Sequence, residues 1–168
     1  PTLKIAGATV PGVPFHLIGQ NGHVAWGVTT PYVDTSDVFI EKVDPNDPAK
    51  YLTPDGPKPF RTRTETIKVR FGDDVTITIR ETRHGPVLTD LPFGSLPRTE
   101  SGHVLALQAP WLTDKDTTAE AIYRLNRAKD WAGFRAALRL YIGPSQNFIF
   151  GAVDGTIAHI TPGLIPIR

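Results

Sequence analysis

One stretch near the start of the sequence combines a tight turn, a strand and a loop that carries acids. It reads GQNGHVAWGVTTPYVDTSDVF and occupies residues 19–39. Asn21 and Gly22 both tolerate positive φ and predict a two-residue hairpin loop before a strand at 23–28. Pro31 then stops regular strand pairing. This pattern can present backbone groups and a bound cation at one place. A plain hairpin with a hydrated loop is the alternative.

The composition is that of an ordinary globular domain and excludes several classes of function. The chain has 168 residues, 40% hydrophobic and 21% charged, with a net charge of +1. No run of Lys or Arg indicates a nucleic-acid surface, and no apolar stretch is long enough to span a membrane. The sequence has no cysteine, which removes disulfides, thiolate zinc sites and a cysteine nucleophile. We expect a single domain over residues 1–168.

Sixteen prolines and fifteen glycines separate short apolar runs, which favours β-strands joined by shaped loops. The predicted strands cover residues 3–10, 15–18, 23–28, 37–43, 103–108, 146–150 and 156–161. Residues 44–59 are rich in proline and aspartate and are predicted to be a surface loop. The segment 91–102 is predicted to be a second loop.

One hairpin and two helices have the clearest patterns. Residues 64–71 and 74–80 alternate polar and apolar side chains about Gly72-Asp73, which predicts a β-hairpin with one buried face. A helix is predicted to begin with a capping box from Thr117 to Glu120. Asp130 is predicted to cap a second helix, whose aromatic stripe faces the core. The predicted fold class is therefore α+β, with mainly antiparallel strands and two consecutive helices.

Three ordered blocks of sequence resemble the penicillin acylase (penicillin amidase) family. The first is Gly-x-Asn-x-x-x-Ala-Trp-Gly-x-Thr at 19–29 with Asp-x-x-Asp-Val-Phe at 34–39, preceded by Pro-Gly-x-Pro at 11–14. The second is His-Gly-Pro-Val at 84–87. The third joins Pro-x-Gln-Asn-Phe at 144–148 to Val-Asp-Gly-x-Ile and Pro-Gly-x-Ile-Pro-x-Arg, which ends at Arg168. Members of this family are N-terminal-nucleophile hydrolases whose β subunit begins with a catalytic serine.

The resemblance implies that the chain forms part of a four-layer αββα hydrolase core. It implies a parent amidohydrolase that removes an acyl chain from a β-lactam antibiotic, an N-acyl-homoserine lactone or a related N-acyl amine. Residue 1 is proline, so we expect the serine to lie upstream and the chain alone to be inactive. Its partners would be the α subunit, the remaining β-subunit segments and the small N-acyl substrate. We also expect a periplasmic or secreted location and self-association of the isolated chain through exposed apolar surface.

The resemblance also implies two donors for the oxyanion of an acyl-transfer reaction. They are the backbone N–H of Thr30 and the side-chain amide of Asn147. A neutral amide or a backbone N–H can donate to an oxyanion without losing a proton of its own. Arg168 matches a family arginine that helps to order the site. His84 is expected to be structural, because these enzymes use the α-amino group of their first residue as the base.

Several members of the family bind one calcium ion, and the acidic loop matches their ligand segment. Asp34 and Asp37 would supply carboxylates, and Ser36 and Pro110 would supply backbone carbonyls. A further ligand of the family, an aspartate after the oxyanion asparagine, falls on Ala152 here. Calcium takes six to eight oxygens, so two carboxylates do not complete a site. We expect calcium in the parent enzyme and no cofactor requirement in this chain itself.

A different class of protein also accounts for the hairpins and loops. A non-catalytic β-rich binding or scaffold module needs none of the site residues named above. In the reading frame upstream of Pro1, a Gly-Ser or similar self-cleavage junction would favour the enzyme, and an unrelated domain would favour the module.

Overall fold

The computed structural model describes residues 3–91 and 99–167. It contains twelve β-strands, two α-helices and one short 3-10 helix within those ranges. The chain divides into two compact units, one formed by the segments up to Thr35 and from Pro110 onward, the other by Ser36–Ala109. The single domain over residues 1–168 stays a prediction. Neither described α-helix has the length and hydropathy needed to cross a membrane.

The first unit consists of a five-stranded antiparallel sheet and both α-helices. In order across the sheet, the strands are β1 (Ala6–Thr9), β2 (His16–Gln20), β3 (Val24–Thr29), β11 (Asn147–Ala152) and β12 (Ile157–Ile160). The helices α1 (Thr118–Leu125) and α2 (Trp131–Leu138) follow one another in the chain and pack together. The predicted α+β class, with antiparallel strands and two consecutive helices, is confirmed.

Alternation along the central strands places one face of this sheet in a hydrophobic core. The core combines β3 and β11 with α1 and α2 and includes Trp26, Leu125, Phe134, Phe148 and Phe150, all buried. Successive strand residues point to opposite faces, so the side chains between these aromatics lie on the other face. The predicted aromatic stripe of α2 faces this core, as expected. Fully burying a side chain of this size contributes about 1.5–3 kcal/mol, which fixes the sheet against the helices.

Of the two predicted N-terminal helix caps, one is present and the other is not. The Asp130 carboxylate accepts a hydrogen bond from the Gly133 N–H at 2.8 Å, as a capping residue should. The predicted capping box at Thr117 is wrong, because the Thr117 side chain makes no cap hydrogen bond. Its hydroxyl donates instead to the Leu140 carbonyl at 2.6 Å, which ties the start of α1 to the end of the second helical segment.

The second unit holds two further antiparallel sheets. Its four-stranded sheet has the order β10 (His103–Gln108), β4 (Asp37–Asp44), β5 (Asp47–Thr53) and β6 (Gly56–Pro59). Its three-stranded sheet has the order β7 (Arg61–Ile67), β8 (Val75–Thr82) and β9 (Gly85–Pro86), and the 3-10 helix Leu88–Asp90 follows. The buried residues Tyr51, Phe60, Val87 and Val104 form its core.

The prediction of a surface loop at 44–59 is wrong. The segment contains all of β5 and all of β6, which pair from Lys50↔Pro59 to Thr53↔Gly56. Its prolines suggested a loop, but β6 is an edge strand of the sheet, where a missing N–H is tolerated. Tyr51 in β5 is buried, and its hydroxyl accepts a hydrogen bond from the Arg83 N–H at 2.8 Å.

The predicted hairpin at 64–80 is present, but its register and its burial differ from the prediction. The strands pair from Arg61↔Glu81 to Ile67↔Val75, so residues 68–74 form a longer loop in place of a two-residue turn at Gly72-Asp73. Every residue of β7 is exposed, so the predicted buried face is wrong for that strand. The alternation of polar and apolar residues gives the hairpin one apolar side, but it does not determine whether another part of the protein packs against that side. Part of the second predicted loop, residues 92–98, lies outside the described residues.

His84 lies in a buried polar contact of the second unit. Its Nδ1 is 2.7 Å from Oε1 of Glu41, whose side chain retains only 6% of its exposure. The His84 ring also stacks on Phe39, with a centroid distance of 3.8 Å. These contacts agree with the expected structural role, because the ring nitrogen satisfies a carboxylate that water scarcely reaches.

We predict that His84→Ala lowers the free energy of unfolding by roughly 3 kcal/mol. This lies near the low end for breaking a buried pair, since the His84 side chain keeps 18% of its own exposure. His23→Ala, which removes an exposed histidine, is the matched control and should have little effect. Urea unfolding measures both variants. If His84→Ala and His23→Ala have the same free energy of unfolding, the contact of His84 with Glu41 contributes nothing to stability.

Candidate active site

The predicted oxyanion donors lie at the ends of two neighbouring strands. In the β3–β11 ladder, Asn147 is directly opposite Thr29, and Thr30 is the next residue along the chain. Directly opposed Cβ atoms in an antiparallel pair are about 4.5–5.5 Å apart. The structure therefore brings Asn147 close to the Thr29-Thr30 backbone at one edge of the first unit.

The carboxamide of Asn147 has a defined set of neighbours. Its Nδ2 donates to Oγ1 of Thr29 at 3.3 Å. Its Oδ1 accepts a hydrogen bond from Oγ1 of Thr161 at 2.8 Å and lies 3.2 Å from Nε2 of His159. Among the described residues, the second hydrogen of Nδ2 has no partner. One N–H of this amide therefore has no hydrogen-bond acceptor within the part of the chain that the structure describes.

The core determines the face on which Asn147 lies. The next residue of β11, Phe148, is almost fully buried against the helices. Because side chains alternate, Asn147 and Ile149 lie on the face away from the helices. The segment leading into β11 is tied by the Tyr141 hydroxyl, which donates to the Pro144 carbonyl at 2.8 Å. Burial raises the pKa of Tyr141 to about 12, and the Asp116 carboxylate adds to the rise, so the hydroxyl keeps its proton at neutral pH.

Two buried asparagines join the turn before β3 to the loop between the helices. The Asn21 amide donates to the carbonyls of Asn126 and Ala128 at 3.1 and 2.7 Å. The Oδ1 atom of Asn21 accepts hydrogen bonds from the N–H groups of His23 and Val24. Residues 21–23 therefore form a three-residue loop, not the predicted two-residue loop, with Gly22 at φ 83°. This loop fixes the start of the strand that leads to Thr30.

The loop after Thr30 contains an unusual backbone conformation. Tyr32 has φ 55° and a side chain that is 95% exposed. A bulky residue in the left-handed region is uncommon, and such conformations cluster at ligand sites. Because the Tyr32 ring is exposed, burial of the side chain does not offset the cost of this backbone conformation.

The remaining predicted site residues divide into two groups. Arg168 lies outside the described residues, so its predicted role stays a prediction. The calcium candidates Asp34, Ser36, Asp37 and Pro110 are all described, and Asp34 and Asp37 both have interaction partners. Within residues 3–91 and 99–167, no group of three or more His, Cys, Asp or Glu side chains could hold a metal ion. The described carboxylates therefore do not form a complete calcium site.

Sequence reasoning missed His159 and Thr161 beside Asn147. The signal was present in the predicted turn at Asp154-Gly155, which lies between the two strands. Counting outward from this turn pairs Phe148 with Thr161, one residue away from the observed partner Ile160. The predicted turn therefore indicated which part of the last strand lies near Asn147, but it did not give the exact register.

Comparisons with known proteins show what this chain is similar to. The penicillin amidase family matches residues 1–168. Acyl-homoserine lactone acylase QuiP of Pseudomonas fluorescens strain Pf-5 is 37% identical over 169 residues, covering 100% of this chain and 20% of its own length. Penicillin acylase 2 proenzyme of Pseudomonas sp. strain SE83 is 31% identical over 163 residues, covering 96% of this chain and 20% of its own length. This chain thus spans about a fifth of the length of these curated relatives.

A solved structure gives the class of fold. The thermostable penicillin G acylase of Alcaligenes faecalis superimposes with a TM-score of 0.80 and 25% sequence identity, over 98% of this chain and 28% of its own. The fold is therefore that of the N-terminal-nucleophile hydrolases, as the resemblance implied. The chain belongs to the penicillin amidase family. This membership supports the amidohydrolase interpretation over a non-catalytic β-rich module.

We predict that Asn126→Ala destabilises the first unit by roughly 2–3 kcal/mol. The Asn126 side chain accepts from the His16 N–H and donates to the His16 carbonyl, both at 2.8 Å, and each group left unsatisfied costs about 1–3 kcal/mol. Asn46→Ala removes an exposed asparagine and is the matched control. The midpoint of urea unfolding should fall for the first variant only. Indistinguishable midpoints would contradict this role of Asn126.

Proposed function

We propose that this chain forms the oxyanion-stabilising part of an amidohydrolase that cleaves an acyl chain from an amide. The observation that carries the proposal is the placement of Asn147 opposite Thr29, one residue before Thr30, in a member of the penicillin amidase family. The Asn147 amide and the Thr30 N–H would donate to the oxygen that becomes negative in the tetrahedral intermediate. Arg168 would help to order the site.

The nucleophile and the base belong to a part of the parent protein outside this sequence. We propose that they are the hydroxyl and the α-amino group of an N-terminal serine, because an adjacent amine can activate a hydroxyl for attack on an amide. On this proposal the 168-residue chain alone hydrolyses no N-acyl amide. It would supply pre-oriented donors, which need no rearrangement as charge develops.

The names of two relatives support a proposal for the substrate class. One relative is named for acyl-homoserine lactones and another for penicillin, and both names describe a compound with an acyl group on an amine nitrogen. We propose an N-acyl amine of this general type, either an N-acyl-homoserine lactone or a β-lactam antibiotic. Hydrolysis assays of the parent enzyme against both compounds test the proposal, and failure to cleave either would contradict it.

The parent enzyme would contain the rest of the β subunit and an α subunit. It would be exported to the periplasm or secreted. This chain covers only about a fifth of the length of each relative, which supports the presence of further segments in the parent enzyme.

The isolated chain is expected to self-associate. Exposed apolar side chains, such as Ile149 and Ile157, lie on the face of the first sheet away from the helices and support this expectation. Light scattering that shows a strict monomer would contradict self-association, and cytoplasmic fractionation of the parent would contradict export.

A calcium ion is proposed for the parent enzyme only. The carboxylates of Asp34 and Asp37, with the carbonyls of Ser36 and Pro110, leave part of a calcium shell to be supplied by other segments. We predict that the purified parent retains about one calcium per molecule after dialysis and that Asp37→Asn lowers this content. Elemental analysis measures it. Equal calcium content in both proteins would contradict the assignment of Asp37.

We predict that Asn147→Asp lowers kcat of the parent enzyme by about 10²–10³-fold, since loss of one oxyanion donor has that effect. The replacement has nearly the same shape but substitutes an acceptor oxygen for the donor nitrogen. Asn46→Ala is the control and should leave kcat unchanged, because Asn46 is exposed and belongs to no proposed site. Steady-state hydrolysis of an N-acyl amide measures both. A kcat for Asn147→Asp within twofold of the parent would contradict the proposed role.

A further inference from the structure

The Asn147 carboxamide must have one particular orientation if it is to act as a donor. Its two ends have nearly the same shape, and only Nδ2 can donate. In the structure Nδ2 faces Thr29 at the end of β3, and Oδ1 faces β12. A rotation of 180° would present an oxygen to the developing oxyanion and repel it. Groups that hold the amide in the observed orientation therefore bear directly on the proposed function.

The two threonines beside the amide do not fix this orientation. A hydroxyl can donate or accept, so Thr29 and Thr161 could each satisfy either end of the carboxamide. The hydroxyl of Thr161 donates to Oδ1 in the observed state and could accept from Nδ2 after a rotation. Its distance of 2.8 Å strengthens the contact without selecting the direction.

His159 can favour one orientation of the Asn147 carboxamide over the other. Its Nε2 lies 3.2 Å from Oδ1 of Asn147. When Nε2 carries a hydrogen, it can only donate, and it therefore stabilises the orientation with Oδ1 turned towards it. The pairing of His159 with Ile149 across β11 and β12 places the imidazole on the same face as Asn147.

We propose that His159 is a positioning residue that holds the Asn147 carboxamide with Nδ2 directed to the end of β3, while Thr161 restrains the amide without selecting its direction. The inference rests on the proposed function, because it concerns the donor that this function requires. His159 touches neither substrate nor nucleophile in this role. It acts through Asn147, by donating a hydrogen bond from Nε2 to Oδ1.

Each contact is expected to have a modest effect on its own. His159 and Thr161 are both exposed in this chain, so water competes for their hydrogen bonds. A hydrogen bond of about 0.5–1.5 kcal/mol corresponds to a change of roughly 2- to 12-fold in the ratio of the productive orientation to the rotated one. Loss of both contacts should lower kcat by more than loss of either one, and by no more than loss of Asn147 itself.

The test uses kcat and KM of the full-length parent enzyme with an N-acyl amide substrate. His159→Phe keeps a ring without a donor, and Thr161→Val keeps the shape without a hydroxyl. His159→Phe should lower kcat by up to about 10-fold with little change in KM, and Thr161→Val should have a smaller effect, because a hydroxyl does not select the orientation. The variant His159→Lys keeps a side chain that can only donate and should recover most of the lost kcat.

A double variant separates positioning from a merely structural effect. In the background of Asn147→Ala, His159→Phe and Thr161→Val should have no further effect on kcat, because the group on which they act is absent. An unchanged kcat in His159→Phe, or an equal loss with and without Asn147, would overturn the proposal. If His159→Phe does not yield folded enzyme, His159→Val, which also lacks a donor and suits a strand, replaces it in the same comparison.

Failure of the proposed function gives a different result. If Asn147→Ala itself retains the parent kcat, Asn147 is not an oxyanion donor, and the positioning role of His159 is overturned with it. If Asn147→Ala loses about 10²–10³-fold in kcat while the His159 and Thr161 variants match the parent, the proposed function stands and only the positioning role is overturned.

Discussion

The antiparallel pairing of β3 with β11 is the constraint on which the rest of the site depends. The two strands lie 118 residues apart in sequence at the contact between Thr29 and Asn147. Their register is fixed because the side chains alternate, and a slip of one residue would move Phe148 out of the core and Asn147 into it. The free energy of burying the aromatic residues is therefore also what fixes the position of the polar amide.

The helices contribute by defining which face of the sheet is buried. Phe134 of α2 contacts Phe148 and Phe150 of β11 through tilted and edge-on aromatic pairs, with ring centroids 6.3 and 4.9 Å apart. The loop between the helices also holds the start of β3 through Asn21, and so the same packing that buries one face orients the other. A polar group on a rigid strand loses little conformational freedom when it binds a developing charge, which is the basis of electrostatic preorganisation.

Much of this arrangement could be predicted from the sequence because local patterns determine it. The alternation in β11, the cap at Asp130 and the aromatic stripe of α2 all follow from side-chain periodicity and turn chemistry. The pairing of distant strands depends on tertiary packing, and only the family resemblance linked Thr30 with Asn147 beforehand. Residues 44–59 were misjudged because prolines tolerated at a sheet edge also occur in loops. The burial of the hairpin at 61–82 was misjudged because alternation shows that one side of a hairpin is apolar, but not whether that side packs against other residues.

The central claim is that Thr30 and Asn147 donate together to one oxygen. A crystal structure of the parent enzyme with a boronic acid analogue of the N-acyl substrate tests it most directly, since the tetrahedral boronate carries the charge of the reaction intermediate. The account predicts one boronate oxygen within about 2.7–3.1 Å of both the Thr30 nitrogen and Nδ2 of Asn147. A boronate whose oxygens all lie beyond hydrogen-bonding distance of these two groups would contradict it.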